Sequence, residues 1–342
     1  MRSLSAFLLT SLLAPLASHA SPLSAQETFS LKGNPRPLVI WHGLGDTALS
    51  EGISSFIEDI KSVHPGIFVY SVKVPLEGSL DDEKKAGFWG NSEAQGTEGC
   101  EQLALIPELK DGFDAMGFSQ GGLFLRNYAQ FCNDPPIKNL MTVNTLLPFS
   151  AAAADPALYQ FGTPHFGIAS LIPCPTPPSL TCLLAARAAR SGIYSEWAQT
   201  HLVQATYFRD PARLEEFWEK NTFIRDLNAE GIDGLGPNPA SEGERENGGL
   251  GLGKLENLIA VTFDADRTVS PALSAHFATY SPENKTLLIE LKDQPLYKED
   301  WIGLRALDEK GRLQLEHCPG EHMDLGGGCA DRIVKEWVGW KN

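Results

Sequence analysis

The chain of 342 residues lacks several features that define common classes of protein. Beyond its first twenty residues, no stretch approaches the roughly 18 apolar residues that a membrane-spanning helix needs, so we expect no transmembrane segment. Basic residues are scarce, because 28 lysines and arginines face 43 acidic residues and leave a formal net charge of −15 at pH 7. This charge would repel nucleic acid and anionic membrane surfaces, so neither is an expected partner.

The six cysteines show no CxxC spacing of the kind found in zinc and redox sites, and we expect no metal and no cofactor. Residues 1–20 carry Arg2, an apolar stretch and the small-x-small pattern Ser18-His19-Ala20, which together predict a secretory signal peptide. In an exported chain, six cysteines indicate three disulfides. Several connectivities are formally possible, and the favoured pairs are Cys100 with Cys132, Cys174 with Cys182, and Cys318 with Cys329.

Apolar runs alternate with helical periodicity along most of the chain. Ile53, Phe56 and Ile60, for example, recur at the spacing of one helix face. Such alternation predicts an α/β fold with a mostly parallel central sheet that is flanked by helices. The predicted strands are 37–41, 67–72, the run that ends at Met116, 139–143, 258–263 and 286–291, and a helix around 333–338 closes the chain.

Two segments depart from this rhythm. Residues 160–230 show helical stretches at 185–190, 195–203 and 212–219 with little strand signal, which predicts an inserted, mainly helical lobe. Residues 231–253 are rich in Gly, Pro, Asn and Glu and predict a flexible surface loop. We therefore expect residues 21–342 to form a single domain that carries this lobe.

A candidate nucleophile lies in the run Gly117-Phe118-Ser119-Gln120-Gly121-Gly122. The run follows a predicted strand and precedes a helical pattern, which is the context in which G-x-S-x-G forms a sharp strand-to-helix turn. On such a turn a side chain at position 117 or 121 would collide with neighbouring backbone. The turn is therefore predicted to present Ser119 as a nucleophilic serine.

A serine hydroxyl is a weak nucleophile near neutrality and needs a histidine base that is oriented by an acid. In proteins with this turn the chain order is serine, then acid, then histidine. Asp264 and Asp266 both follow the predicted strand 258–263, and Asp266 is the preferred acid. His317 and His322 both follow these aspartates, and His322 is the preferred base.

The remaining histidines are set aside for reasons of position. His19 belongs to the predicted signal peptide, and His64 and His276 lie in patterns typical of exposed helices or turns. The others, which are His42, His165 and His201, precede the acid in the chain.

Acyl transfer also needs donors for the oxyanion that forms in the transition state. One backbone N–H is expected from Gln120, directly after the nucleophile. The other is expected from Leu44, in the glycine-containing turn after the first strand.

From about Pro37 onward, these residues resemble the palmitoyl-protein thioesterases, specifically the lysosomal type 1 branch. The resemblance rests on the stretches 39–46, 115–122, 194–207 and 266–271, and on Gly320-Glu321-His322. The segment 194–207 is more specific than the serine motif, because other hydrolases lack it. The resemblance implies an α/β-hydrolase fold with an inserted, mainly helical lobe, and it places the nucleophile at Ser119, the acid at Asp266 and the base at His322.

The resemblance further implies hydrolysis of long-chain fatty acyl thioesters on protein cysteines through an acyl-enzyme. S-acylated proteins or peptides and long-chain acyl thioesters would then be the partners. The expected location is the secretory pathway, with lysosome or vacuole and the extracellular space both open. Two other functions stay open, namely a secreted lipase or carboxylesterase that acts on oxygen esters and a catalytically silent, lipid-binding hydrolase fold.

Two local features complete the predictions. Asn284-Lys285-Thr286 is the N-glycosylation pattern of this chain, which makes Asn284 the candidate acceptor. Residues 144–161 have no counterpart in the resembling family, and they are interpreted either as an acyl-binding flap or as a translated intron.

Overall fold

Within the described part of the chain, six parallel strands form the main sheet in the order β2-β1-β3-β4-β5-β8. The computed structural model describes residues 34–143, 190–231, 236–237, 251–284, 286–325 and 328–339. A separate antiparallel pair consists of β6 and β7. The strands are β1 Leu38–Trp41, β2 Val69–Ser71, β3 Phe113–Phe118, β4 Ile137–Val143, β5 Asn257–Phe263, β6 Thr279–Tyr280, β7 Leu288–Ile289 and β8 Leu313–Cys318.

Helices occupy most of the connections between these strands. The α-helices are α1 Glu51–Val63, α2 Leu80–Ala86, α3 Ser92–Ala104, α4 Gln120–Asn127, α5 Glu196–His201, α6 Leu214–Lys220, α7 Phe223–Leu227, α8 Pro295–Lys298, α9 Leu304–Glu309 and α10 Cys329–Trp337. Short 3-10 helices span Pro107–Leu109, Val203–Tyr207, Gly251–Lys254, Ala272–His276 and Leu291–Asp293.

The sheet is covered on both faces, as a continuous apolar strand sequence requires. Every residue of β1 and β3 is buried. Along β1, Val39 and Trp41 pack into one apolar cluster while Leu38 and Ile40 pack into another, because side chains alternate across a strand. The parallel order and the two covered faces confirm the predicted α/β class and the α/β-hydrolase fold.

One strand prediction is wrong. The apolar run 286–291 contributes only the two-residue strand β7, which pairs with β6 outside the main sheet. The sixth strand of the main sheet is β8, which pairs along its whole length with β5. It lies at the edge of the sheet, where only its first and last residues are buried and the four between them alternate between half-buried and exposed, so its sequence lacks the continuous apolar run of the central strands.

The predicted lobe is described only from residue 190 onward. Helix α5 falls within the predicted helical stretch 195–203, α6 overlaps the stretch 212–219 and ends one residue beyond it, and most of the stretch 185–190 lies outside the described residues. The predicted flexible loop 231–253 is described at 231, 236–237 and 251–253, where a 3-10 helix begins at Gly251. The proposed signal peptide and the stretch 144–161 lie outside the described residues.

Two of the favoured disulfides are present. Cys100 on α3 is joined to Cys132, just beyond α4, and Cys318 at the end of β8 is joined to Cys329 at the start of α10. Cys174 and Cys182 lie outside the described residues. Among the residues that the structure describes, no helix is both long and apolar enough to cross a bilayer.

Candidate active site

The candidate site residues follow strands whose carboxyl ends meet at one edge of the sheet. Ser119 comes directly after β3, Asp266 follows β5, and His322 follows β8. Because all these strands are parallel, their carboxyl ends lie on the same side, where ligands bind in open α/β sheets. The topology therefore brings together residues that are up to 203 positions apart in the sequence.

Ser119 occupies a strained backbone conformation. Its φ of 52° and ψ of −122° lie outside the regions that a non-glycine residue normally adopts. The glycines around it permit the turn, since a Cβ at Gly121 would lie 2.2 Å from the carbonyl oxygen of Trp41. A Cβ at Gly117 would similarly lie 2.4 Å from the Cα of Gly122. The sharp strand-to-helix turn that the motif predicts is thus the turn that the chain makes.

The loop after β1 lies directly beside this serine. A Cβ built at Gly43 would be 3.2 Å from the Ser119 Cβ and 3.8 Å from its Oγ. Leu44, the next residue, is one candidate oxyanion donor, and Gln120 is the other. Gln120 is the first residue of α4, so its backbone N–H has no acceptor within the helix.

The side chain of Gln120 is held by two other parts of the chain. Its Nε2 donates to the carbonyl oxygen of Gly87 at 3.2 Å, and its Oε1 accepts from the Tyr207 hydroxyl at 3.0 Å. Burial raises the pKa of Tyr207 well above its usual value, which keeps this hydroxyl a donor. These two hydrogen bonds to its side chain fix Gln120 at the start of α4.

His322 and Asp266 form a buried pair. The His322 Nδ1 lies 2.7 Å from Asp266 Oδ2, and the side chains are 7% and 0% exposed. The other carboxylate oxygen of Asp266 accepts from the backbone N–H groups of Thr268 at 2.7 Å and Val269 at 3.0 Å. A carboxylate fixed in this way orients an imidazole and stabilises its charged form.

The two residues that the sequence analysis ranked second also pair with each other. His317 Nδ1 lies 2.8 Å from Asp264 Oδ1, but these side chains are 54% and 60% exposed. A solvent-exposed pair is stabilised weakly and is surrounded by water. Chain order alone admits either pair, and burial distinguishes the two.

The burial of His276 differs from what was expected from the sequence. This histidine was set aside as an exposed turn residue, whereas the structure buries it at the end of the 3-10 helix that follows β5. Its Nε2 lies 3.1 Å from the carbonyl oxygens of both Ala260 and Glu316. Burial, and then the neighbouring His317, lower the pKa of His276 to about 4.

The sequence analysis missed a second buried acid–imidazole contact at this edge. His42 was set aside by its place in the chain order, and Glu83 was not considered. In the structure His42 Nε2 lies 3.1 Å from Glu83 Oε1, and both side chains are buried. Nothing in the local pattern of α2 marks Glu83 as buried, because its neighbours on the helix are charged.

Two exposed tryptophans meet where the segment after Gly87 passes α5, with Trp89 on the segment and Trp197 on the helix. Trp89 and Trp197 are both more than half exposed and meet edge to face, with ring centroids 6.4 Å apart. Segment 87–90 is hydrogen-bonded to the last residue of α5, because the Gly90 N–H donates to the carbonyl oxygen of His201. Among the described residues, no group of three or more His, Cys, Asp or Glu side chains could hold a metal ion.

The parallel sheet, the strained serine and the buried His–Asp pair define an α/β-hydrolase. Residues 37–322 match the family model described as palmitoyl protein thioesterase, and the chain belongs to that family. The resemblance noted in the sequence is thereby confirmed.

Named relatives agree with this family. The chain is 31% identical over 290 residues to palmitoyl-protein thioesterase 1 of Caenorhabditis elegans, which covers 84% of this chain and 87% of the relative. It is 32% identical to a palmitoyl-protein thioesterase-dolichyl pyrophosphate phosphatase fusion of Schizosaccharomyces pombe, over 97% of this chain but only 49% of the fusion. Identity to the lysosomal thioesterase PPT2 homolog of Drosophila melanogaster is lower, at 25% over 84% of this chain and 85% of that protein.

Among solved structures, the chain is similar to the esterase Est1E from Butyrivibrio proteoclasticus with bound ferulic acid. The TM-score is 0.40 at 13% identity, and the match covers 89% of each chain.

Proposed function

We propose that this chain is a serine-dependent hydrolase that removes long-chain fatty acyl groups from protein cysteines. The observation that carries the proposal is the buried hydrogen bond between His322 and Asp266, at the same sheet edge as the strained Ser119. Family membership supplies the substrate class, because the relatives are named as palmitoyl-protein thioesterases.

The proposed reaction begins with His322 removing the Ser119 proton as the hydroxyl oxygen attacks the thioester carbonyl. Negative charge then develops on the carbonyl oxygen, and the backbone N–H groups of Leu44 and Gln120 are the proposed donors for it. Asp266 holds the His322 tautomer and stabilises the imidazolium. When the tetrahedral intermediate collapses, the carbon–sulfur bond breaks and the cysteine sulfur takes the proton from His322.

The acyl group is then carried on Ser119 as an oxygen ester. In the second half of the reaction, His322 removes a proton from water, which attacks the ester carbonyl at the same oxyanion donors. The carbon–oxygen bond to Ser119 breaks, the serine oxygen regains a proton, and the free fatty acid leaves.

The leaving group suits this machinery. A cysteine thiol has a pKa of about 8.5, far below that of an amine or an alcohol, so the sulfur departs with little help from a general acid. The demand on the site is therefore greatest at the oxyanion, where the loss of one donor costs about 10² to 10³ in rate.

The cellular setting forms part of the proposal. We place the enzyme in the secretory pathway, after removal of residues 1–20, with a lysosomal or vacuolar destination supported by relatives named as lysosomal thioesterases. Asn284 is the proposed glycan acceptor, and it is exposed in the turn between β6 and β7. Residues 21–342 are proposed to act as one domain.

The test compares kcat/KM for a palmitoyl thioester with that for the matched palmitoyl oxygen ester at pH 5 and pH 7. Wild type, Ser119→Ala and Ser55→Ala are assayed, the last because Ser55 is an exposed serine on α1. We expect a strong thioester preference in wild type and Ser55→Ala that disappears in Ser119→Ala. Labelling with a serine-directed fluorophosphonate should follow the same pattern.

Other outcomes would replace the proposal. A preference for the oxygen ester would make the protein a lipase or carboxylesterase. Activity that survives in Ser119→Ala would remove Ser119 as the nucleophile, and a wild type that neither turns over nor labels would be a binding protein.

A further inference from the structure

Helix α2 packs against the loop after β1, which carries Leu44. The helix begins with a reciprocal cap, in which the Ser79 hydroxyl accepts from Asp82 N–H at 3.2 Å and the Asp82 carboxylate accepts from Ser79 N–H at 3.0 Å. Gly87, the residue directly after the helix, lies close enough that an added Cβ would be 3.1 Å from Gly45 N and 3.4 Å from a Leu44 methyl carbon. The position of α2 is therefore coupled directly to the position of the loop.

Glu83 is the acidic residue that α2 directs into this contact, and it is only 1% exposed. Its Oε1 accepts from Ala48 N–H at 2.8 Å and lies 3.1 Å from His42 Nε2. One oxygen thus contacts both ends of the segment 42–48, which contains Leu44. Glu83 bridges this segment across a gap of 35 or more residues in the chain.

The contact between His42 and Glu83 is a close packing contact between two buried side chains. The His42 Nδ1 lies 2.9 Å from the carbonyl oxygen of Gly43, which can only accept, so Nδ1 carries a hydrogen. The other ring nitrogen, Nε2, lies 3.1 Å from Glu83 Oε1 but makes no hydrogen bond among the described residues. The hydrogen bond from Ala48 N–H to Oε1 is therefore the directional link between Glu83 and the loop, and the His42 ring packs beside it.

This buried acid is costly to the fold. The second oxygen of Glu83, Oε2, has no hydrogen-bond partner among the described residues, and burial of an unpaired carboxylate oxygen is unfavourable. An apolar side chain would pack a buried helix face without that cost. The contacts of Oε1 with His42 and Ala48 are what an acid supplies here and an apolar residue would not.

Gln120, the second proposed oxyanion donor, is held by the residue directly after the same helix. Gly87, directly after α2, accepts from the Gln120 side chain at 3.2 Å through its carbonyl oxygen. The C-terminal end of α2 therefore contacts both the loop of Leu44 and the side chain of Gln120.

We propose that Glu83 is a positioning residue that holds the backbone N–H of Leu44 in the oxyanion hole through His42 and Ala48. The proposal rests on the proposed function only in that Ser119 is the nucleophile and Leu44 an oxyanion donor. Glu83 itself touches no substrate, so its contribution falls on the transition state and leaves binding of the acyl chain unchanged.

The test measures two affinities for three variants. Glu83→Gln keeps the shape but removes the carboxylate charge, Glu83→Ala removes both contacts, and Glu77→Gln is the matched control because Glu77 is exposed just before the same helix. One ligand is a long-chain alkyl trifluoromethyl ketone, which adds to the serine and forms an oxyanion. The other is an alkyl thioether of the same chain length, which has no carbonyl oxygen.

We expect Glu83→Gln to lower kcat about tenfold and Glu83→Ala to lower it by about 10² or more, approaching the loss of a whole oxyanion donor. The affinity for the trifluoromethyl ketone should fall by the same factors, whereas the thioether affinity, KM and the Glu77→Gln values stay at wild type. Fluorophosphonate titration supplies the concentration of folded active sites for every variant.

Two results would overturn the inference. Wild-type kcat and ketone affinity in Glu83→Gln and Glu83→Ala would show that the loop needs no such support. An equal loss of ketone and thioether affinity would assign Glu83 to general folding instead. Failure of the proposed function is separate, because it would appear as a wild type that does not react with fluorophosphonate at all.

Discussion

Buried His276 is expected to make the fold less stable in acid, and the size of the effect follows from its surroundings. The Nε2 of His276 faces the carbonyl oxygens of Ala260 and Glu316, so this nitrogen carries the hydrogen of the neutral ring. Charging the ring requires a proton on the other nitrogen, in a buried site next to His317. These conditions lower the pKa of His276 to about 4 from the usual 6.5.

The sign of the effect follows from where protons bind. Between pH 6.5 and about 4 the unfolded chain binds a proton at His276 and the folded chain does not, so acidification favours unfolding. The contribution is fully present above pH 6.5 and is lost progressively as the pH falls towards about 4. At pH 5 the expected loss in the free energy of unfolding is about 2 kcal/mol relative to pH 8.

The measurement is urea unfolding at pH 8 and pH 5 for wild type, His276→Gln and His201→Gln. The glutamine amide at 276 can still donate to the two carbonyls but cannot be charged, and His201 is an exposed control. On going from pH 8 to pH 5, wild type and His201→Gln should lose about 2 kcal/mol more than His276→Gln. Comparison between variants is needed because burial raises the pKa of Asp114 to about 7, which opposes the effect equally in all of them.

The reasoning fails if wild type and His276→Gln lose the same unfolding free energy, within about 0.5 kcal/mol, between the two pH values. That result would mean that the ring takes up a proton in the folded state as readily as in the unfolded state.

Four further predictions concern the site and its surroundings. Asp266→Asn should lower kcat for a palmitoyl thioester by about 10⁴, because the His322 tautomer is no longer held. The control Asp264→Asn should stay within a few-fold of wild type, and equal losses in the two variants would contradict the assignment of Asp266 as the acid. Gly121→Ala should reduce the yield of folded protein and lower its melting temperature, since the new Cβ would lie 2.2 Å from a backbone oxygen, and an unchanged melting curve would refute this. Asn284→Gln should abolish the electrophoretic shift that a peptide N-glycosidase causes in the secreted protein, and a shift that persists would move the glycan elsewhere. Trp89→Ala should raise KM for a palmitoyl thioester more than for a butyryl thioester, because the exposed indole, two residues after the Gly87 carbonyl that holds the Gln120 side chain, offers apolar surface to a long chain. Parallel changes would show that it makes no such contact.

Features with a fixed backbone geometry could be predicted from the sequence. The turn at Ser119 needs glycine at two defined positions, and the central strands need continuous apolar runs because both faces of the sheet are covered. Strand β8 could not be recognised in this way, because an edge position leaves alternate side chains exposed. Its sequence 313–318 therefore has the weaker alternating pattern, while the more apolar run 286–291 forms only a short hairpin strand.

The candidate site likewise contains some features that could be predicted from the sequence and others that could not. The sequence favoured Asp266 and His322, although chain order also admitted Asp264 and His317, and the burial that separates the two pairs depends on how the loops after β5 and β8 fold. The approach of Glu83 to the loop after β1 depends on where α2 packs. Where several neighbouring residues of a helix are charged, the sequence does not indicate which of them is buried.

The bridge between Cys318 and Cys329 closes the loop that carries His322. Each turnover of the proposed reaction liberates a cysteine thiol, which is a potential reductant, within reach of this loop. Exchange requires a thiolate to approach a disulfide sulfur, and both half-cystines are buried, with residue exposures of 0% and 4%. An acidic compartment would also keep the released thiol protonated and poorly reactive. The enzyme can thus generate thiols at its own active site while the covalent link beside its proposed base stays out of their reach.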